Sequence, residues 1–474
     1  MKKFYITCAI PYVNSVPHVG HALEFVQGDT IARYHKLLGQ ETLLLCGGDE
    51  NALKNVQAAE KANIPVQQFI DKNNIKFFEL TNALNCQFGV WQKGSDITHH
   101  FPSSQKLWEL CEKNGDIYKK SYKGLYCVGC EMFYTHDELN ENGECFEHLG
   151  KKLVNVSEEN YFFNLKKYEQ QIKNKILSGE LQIIPEKRKN EVISFLNLGL
   201  EDISISRSNQ RAKNWGVPVP HDDTQKMYVW FDALNIYQSG IGFGWNEAMY
   251  NKWWPADVHV IGKGITRFHV VYWPAFLLSA GLPLPKKIFV HEYFTVDGQK
   301  MSKTLGNVID PVELIKKYGA DPLRYYFLAK FSPFNDGNFS HDEFKKTYNA
   351  DLANGLGNLI SRVAKMCEGL TLTSYTPPKL ADTPLIEFET SYQFDVTLKL
   401  IFEKIKASDV LVNNNQVWIL TGNAKQKILQ TLVDQIRVIG YSLQPFLPET
   451  ADKILQQFSG SKISVEPSLF PRLI

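Results

Sequence analysis

Net charge, long apolar runs and repetition are all scarce in this chain of 474 residues. Its 52 Lys and Arg nearly cancel its 51 Asp and Glu, leaving a formal net charge of +1. No global field therefore draws it to nucleic acid, and any RNA contact has to come from local patches such as Lys187-Arg188-Lys189. Apolar stretches stay below the roughly 20 residues that span a bilayer; Val270 to Ala280, for example, is short and broken by Pro274. The run after Met1-Lys2-Lys3 imitates a secretory signal but meets Pro11, Asn14 and His18 where a small-residue cleavage site belongs. A cytoplasmic chain without a membrane segment is expected. No internal repeat is present, which excludes a repeat architecture, and only Asn413-Asn414-Asn415 is low in complexity.

A disulfide framework is missing as well. Of eight cysteines, Cys8, Cys46, Cys86, Cys111 and Cys367 are scattered in apolar contexts, as buried thiols are. The other three cluster. Cys127-Val128-Gly129-Cys130 and, after a polar spacer with Asn142-Gly143, Cys145-Phe146-Glu147-His148 have the C-x-x-C and C-x-x-H spacing of a closed tetrahedral zinc site. Four protein ligands leave no open position, so one structural Zn2+ per chain is expected.

What is there is an α/β pattern. Phe4 to Ile10 reads as a buried parallel strand broken by Pro11 and Asn14. From Gly20 the spacing turns helical, through Ala22, Val26, Thr30 and His35 to Leu38, with Gly39 as the stop. Glu41 to Cys46 is a second strand with Gly47-Gly48-Asp49 at its C-terminal end, where open α/β sheets bind ligands. Asp49 there can meet a substrate ammonium or simply cap the next helix. Val258 to Gly262 and Lys287 to Val290 resume the strand pattern, so the sheet is split by an insertion. Beyond about Asp342 only helical periodicity remains, over Asp351 to Met366, Tyr392 to Asn413 and Lys425 to Leu443. The resulting division is 1–115 and 224–290 for the two halves of a catalytic domain and 116–223 for the zinc-bearing insertion. A lysine loop and stem-contact region follows at 291–345, and a helical bundle at 346–474.

His18-Val19-Gly20-His21 falls where a strand hands over to a helix N-terminus, a natural phosphate site with two imidazoles beside it. Far along the chain, an Asp297-Gly298 turn precedes Lys300-Met301-Ser302-Lys303. Trp230, Ala233 and Tyr237 share one helical face, readable as core or as a ligand pocket, and His269 carries the same ambiguity.

The H-x-G-H and Lys-Met-Ser-Lys pair, in this order, resembles the class I aminoacyl-tRNA synthetases. The methionyl branch is the one matched, through Ala9-Ile10-Pro11-Tyr12, Tyr126 to Glu131, Glu159 to Phe163, Gly199 to Arg207, Tyr228 to Ala233 and Arg267-Phe268-His269. The resemblance implies a Rossmann-type catalytic domain followed by an all-α anticodon-binding bundle. It implies attack of the methionine carboxylate on the α-phosphate of ATP, brought in with Mg2+, and transfer of the methionyl group to the 3′ end of tRNA(Met). His18, Gly20 and His21 would contact the phosphates of ATP, with Lys303 and Lys300 closing on the pyrophosphate. Methionine would sit among Ala9, Ile10, Tyr12 and Trp230, with Asp49 on its ammonium, and against Ala233, Leu234, Tyr237 and His269. Asn358, Arg362 and Trp418 would read the anticodon.

The chain departs from the family pattern at Asn51-Ala52, where His-Gly is usual, at Gly264, where an acidic residue is usual, and at Val417, where proline is common. Its end at Ile474, without a further RNA-binding domain, implies a monomer. A cysteine-activating synthetase and a catalytically weakened tRNA-binding paralogue are the competing readings. The first needs a zinc open to the substrate thiol, whereas the four ligands here are grouped in the insertion.

Overall fold

The computed structural model describes every residue except 1, 130, 131, 135–137, 148, 300–306, 387 and 474. The chain folds into two compact units, Met1–Pro17 with Gln40–Thr81 and Gln87–His291, and His18–Gly39 with Asn82–Cys86 and Glu292–Ile474.

The first unit is built on six strands: β1 (Lys3–Cys8), β2 (Glu41–Gly48), β3 (Val90–Lys93), β4 (Gln182–Ile184), β5 (Val258–Gly262) and β6 (Lys287–His291). They lie in the order β3-β2-β1-β5-β6-β4, with every neighbouring pair parallel. All five residues of β5 and five of the six in β1 are buried, as expected of parallel strands covered on both faces. Strand order reverses between β1 and β5, which makes their C-terminal ends the topological switch point of the sheet. Gly47 is needed at the β2–β3 seam, since a Cβ there would come within 1.9 Å of the Gln92 carbonyl oxygen.

Two details differ from the sequence reading. β1 ends at Cys8, so Ala9 and Ile10 lie just past the strand, although the Ala9 N–H still bonds the Val260 carbonyl at 3.0 Å. β4 comes from within 116–223 yet joins the main sheet at its edge; three residues are too few to carry a periodic signal. The other strands described in that segment pair antiparallel, among them Ile117–Cys127 along Val154–Phe163 and, at its end, with Met132–Tyr134.

The helices used below are α1 (Val19–Leu37), α2 (His100–Lys113), α3 (Val229–Ser239), α4 (Ala320–Lys330), α5 (Asn358–Met366), α6 (Phe394–Asn414), α7 (Gly422–Leu443) and α8 (Pro448–Phe458). In the second unit α7 turns Leu429, Leu432, Val433, Ile436, Ile439 and Leu443 inward at helical spacing. The short helix α8 carries Pro448 in its first turn and was not anticipated from periodicity. Among the described residues no helix is long and apolar enough to cross a membrane.

Arg324 of α4 organises this second unit. Fully buried, it pairs with Asp29 of α1 at 2.7 Å and donates to the carbonyls of Phe446 (2.8 Å), Pro445 (3.1 Å) and Leu84 (3.2 Å). Its charge is thus matched by one carboxylate and its remaining N–H groups by backbone. Arg324→Leu, which leaves Asp29 paired with Arg33 (2.7 Å) but takes the donor from the buried carbonyls of Leu84, Pro445 and Phe446, is expected to cost about 3–5 kcal/mol in urea denaturation. A loss under about 1 kcal/mol would contradict this account of the pair.

Candidate functional site

The first unit gathers an aromatic cluster at the switch point. The Asp49 N–H, one residue past β2, bonds the Pro11 carbonyl at 2.9 Å, and Tyr12 and Asp49 form a parallel bridge. The segments leaving β1 and β2 therefore run side by side, and Asp49 is only 3 % exposed. Ala9, Ile10 and Tyr12 pack, partly buried, against the core that contains α3.

On α3, Trp230, Ala233 and Tyr237 fall on one face, and with Leu234 all are buried. Trp230 stacks on Phe268, with ring centroids 3.7 Å apart and planes 5° from parallel; Tyr12 meets it edge-on at 6.3 Å. The buried indole Nε1–H of Trp230 has no hydrogen-bond partner among the described residues, so a group bound beside it would meet a donor.

Tyr237 and His269 are joined at 2.7 Å between hydroxyl and Nε2. Nδ1 of His269 lies 3.0 Å from the Ile265 carbonyl, which can only accept, so Nδ1 carries the proton and Nε2 receives that of the Tyr237 hydroxyl. Burial pushes the His269 imidazole down to about 4, so it is neutral at physiological pH. Tyr237 is further fixed by the Tyr5 hydroxyl, which donates to its carbonyl at 2.6 Å. The His259 ring lies 4.6 Å from that of Tyr237. His259 is itself fully buried, bonded to the Thr7 hydroxyl at 2.6 Å and pushed well below the usual range by lost hydration and by His269.

The second unit holds the histidine pair. His18 is the N-cap of α1: its Nδ1 accepts from the Gly20 N–H at 3.1 Å, and Nδ1 of His21 accepts from the His18 N–H at 3.1 Å. Two imidazoles thus close a reciprocal capping box of the kind usually made by Ser or Thr with Glu. With both Nδ1 atoms accepting, the proton of each neutral ring sits on Nε2, the orientation needed to donate to an anion. Lost hydration and the adjacent His18 push His21 well below the usual range. The rings are 3.9 Å apart. The Val19 N–H bonds the Ile309 carbonyl at 3.2 Å, which ties the start of α1 to the segment following the lysine motif. Before that motif, Asp297 and Gly298, both with positive φ, make the expected tight turn between Val296 and Gln299. Lys300 and Lys303 themselves lie outside the described residues.

Of the expected zinc ligands, Cys127 and Cys145 are buried with sulfurs 3.3 Å apart, too far for a disulfide. Cys130 and His148 lie outside the described residues, and among those described no three metal-binding side chains gather. In the helical region Asn358 is exposed, while one turn on Arg362 pairs with Asp409 (2.6 Å) and Asn413 (2.9 Å). Trp418 stands 53 % exposed in the turn between α6 and α7.

Sequence reasoning missed Phe268 and Lys54. Phe268 was in plain view beside His269, but only the fold reveals its stacking. The Lys54 ammonium sits 2.9 Å above the Tyr12 ring, a cation–π contact with no local signature.

The family model "tRNA synthetases class I (M)" matches residues 4–152 and 145–364. A methionine–tRNA ligase of Nostoc is 38% identical over 96% of this chain and 90% of its own length. That of Thermotoga maritima is 39% identical over 96% and 75%. The structure of Mycobacterium tuberculosis methionyl-tRNA synthetase in complex with methionyl-adenylate superposes with a TM-score of 0.91 at 34% identity, over 100% of both chains.

The neutral state of His269 has a stability consequence. Its pKa is near 4 in the folded chain against 6.5 when unperturbed, so the unfolded chain takes up the proton first as pH falls. Its contribution is present above about pH 6.5 and is lost progressively toward about pH 4. In urea denaturation across that range, His269→Gln is expected to flatten the fall in stability relative to wild type. An unchanged pH slope would contradict it.

Proposed function

The chain belongs to the class I tRNA synthetases, methionyl branch, and on that premise we infer how its residues carry out the work of a methionine–tRNA ligase. It activates methionine with ATP and transfers the methionyl group to tRNA. In the first step a carboxylate oxygen of methionine bonds to the α-phosphorus and the bond to pyrophosphate breaks. In the second a ribose hydroxyl at the 3′ end of tRNA(Met) bonds to the carbonyl carbon and AMP leaves.

The observation that carries the residue roles is the uncharged aromatic cluster at the switch point, with its unpartnered Trp230 Nε1, next to buried Asp49. A thioether gains contact with aromatic faces and needs no charge partner, which suits Tyr12, Trp230, Ala233, Leu234, Tyr237 and neutral His269. Ala9 and Ile10 complete that lining, and Asp49 offers the ammonium a carboxylate. His18 and His21, held by their capping box with Nε2–H outward from the backbone bonds, donate to the phosphates of ATP, which enters as its Mg2+ complex. Gly20 lets the nucleotide approach α1. Lys300 and Lys303 neutralise the departing pyrophosphate. Here the protein's contribution is positioning and charge stabilisation.

For tRNA, Asn358 and Arg362 share one helical face and Trp418 offers an exposed ring on which a base can stack. The pairing of Arg362 with Asp409 and Asn413 holds its guanidinium ready in one orientation. The thiols of Cys127 and Cys145, buried and 3.3 Å apart, suit two corners of a structural zinc site that Cys130 and His148 would complete. Such a site fastens the insertion and takes no part in the chemistry.

Purified protein is expected to catalyse ATP–pyrophosphate exchange with methionine and not with cysteine, and Lys303→Ala to slow it by about 10²–10³-fold. Exchange unaffected by that substitution would overturn the role given to Lys303, and exchange driven by cysteine would overturn the substrate. Atomic absorption is expected to find one zinc per chain, lost in Cys127→Ser; metal-free protein of full activity would refute the zinc site.

A further inference from the structure

The loop that carries Asp49 is tied to α3 through the Asn51 side chain. Asn51, 8 % exposed, donates through Nδ2 to Asp232 Oδ2 at 2.5 Å and to the Gly94 carbonyl at 2.8 Å. Asp232, 1 % exposed, lies in the first turn of α3, between Trp230 and the Ala233–Tyr237 face. Its other oxygen has no hydrogen-bond partner among the described residues, and the remaining polar neighbour is His100 of α2, with Nε2 at 3.5 Å. His100 is in turn fixed by the Ser239 hydroxyl at 2.8 Å, at the far end of α3. A buried carboxylate so sparsely bonded costs stability. Its placement makes sense as a mechanical link: Asn51 is two residues from Asp49, and Asp232 is two from Trp230.

We propose that Asn51 and Asp232 are a positioning pair, whose hydrogen bond fixes the Asp49 loop against α3 and so sets the separation between the ammonium and thioether ends of the methionine site. This rests on the reading of the cluster as a methionine site. Binding that depends on two anchors at once is sensitive to their spacing, and displacements of about 1 Å have large effects. ATP does not rely on this separation, so the pair acts on methionine alone.

The test is methionine binding by titration calorimetry, with the KM for ATP measured in pyrophosphate exchange. Asn51→Ala and Asp232→Ala are each expected to raise the dissociation constant for methionine about tenfold, the equivalent of one lost buried hydrogen bond. The double variant is expected to bind no more weakly than either single one, because both remove the same link. Asp232→Asn keeps an acceptor oxygen for the Asn51 amide and is expected to stay within about twofold of wild type. The KM for ATP is expected to be unchanged throughout. A merely structural role would lower the melting temperature and raise both constants together, which would overturn the proposal, as would additive effects in the double variant or wild-type binding by Asn51→Ala. Should Asn51→Ala fail to fold, the contrast between Asp232→Ala and Asp232→Asn decides in the same way. A wild type that does not bind methionine overturns the functional reading itself; a wild type that binds while both alanine variants bind equally well overturns the pair alone.

Discussion

The reversal of strand order between β1 and β5 is the constraint on which the site depends. Parallel strands in an open sheet all deliver their C-terminal ends to one edge, and where the order reverses the connecting segments part in opposite directions. Residues 9–12 leave β1 at that point, Asp49 leaves β2 beside them, and the segment after β5 supplies Phe268 and His269. Separate parts of the chain are thereby brought to one place by backbone geometry before any side chain is chosen. The Ala9–Val260 and Asp49–Pro11 hydrogen bonds extend the ladder just past the strands and hold the arrangement.

On this frame the side chains settle a question of charge. A methionine site must satisfy an ammonium at one end and an uncharged thioether at the other. In the proposed site the buried Asp49 answers the first. For the second, His269 would be unsuitable as a cation, and the fold keeps it neutral by burial, while the Ile265 carbonyl fixes its tautomer and leaves Nε2 to accept from the Tyr237 hydroxyl. The tautomer of the two α1 histidines is fixed by the backbone: their Nδ1 atoms are occupied by backbone N–H groups.

Much of this was legible in the sequence, and the reasons differ by element. β1, β2, β5 and β6 are runs of apolar residues bounded by breakers, so burial on both faces announced them. The face bearing Trp230, Ala233 and Tyr237 followed from helical spacing, and the Asp297-Gly298 turn from the preference of Asp and Gly for positive φ. β4 was invisible because three residues carry no period, and its entry into the main sheet is decided by pairing with β6. Lys54 over Tyr12, Asn51 on Asp232 and Arg324 on Asp29 were invisible because they join positions distant in the chain, and nothing local distinguishes such residues from solvated ones. The capping box of His18 and His21 lies between these cases: their place at a helix N-terminus was readable, but imidazoles are not usual caps, and their mutual geometry had to be seen.

The central claim is that methionine lies at the switch point with its thioether against Trp230 and Tyr237 and its ammonium at Asp49. A crystal structure of the protein grown with methionine tests it most directly. The account predicts density for the amino acid there, with the sulfur within van der Waals contact of both rings and the Tyr237–His269 bond intact. Methionine bound elsewhere on the chain, or a cluster so tightly filled by its own side chains that none enters, would contradict it.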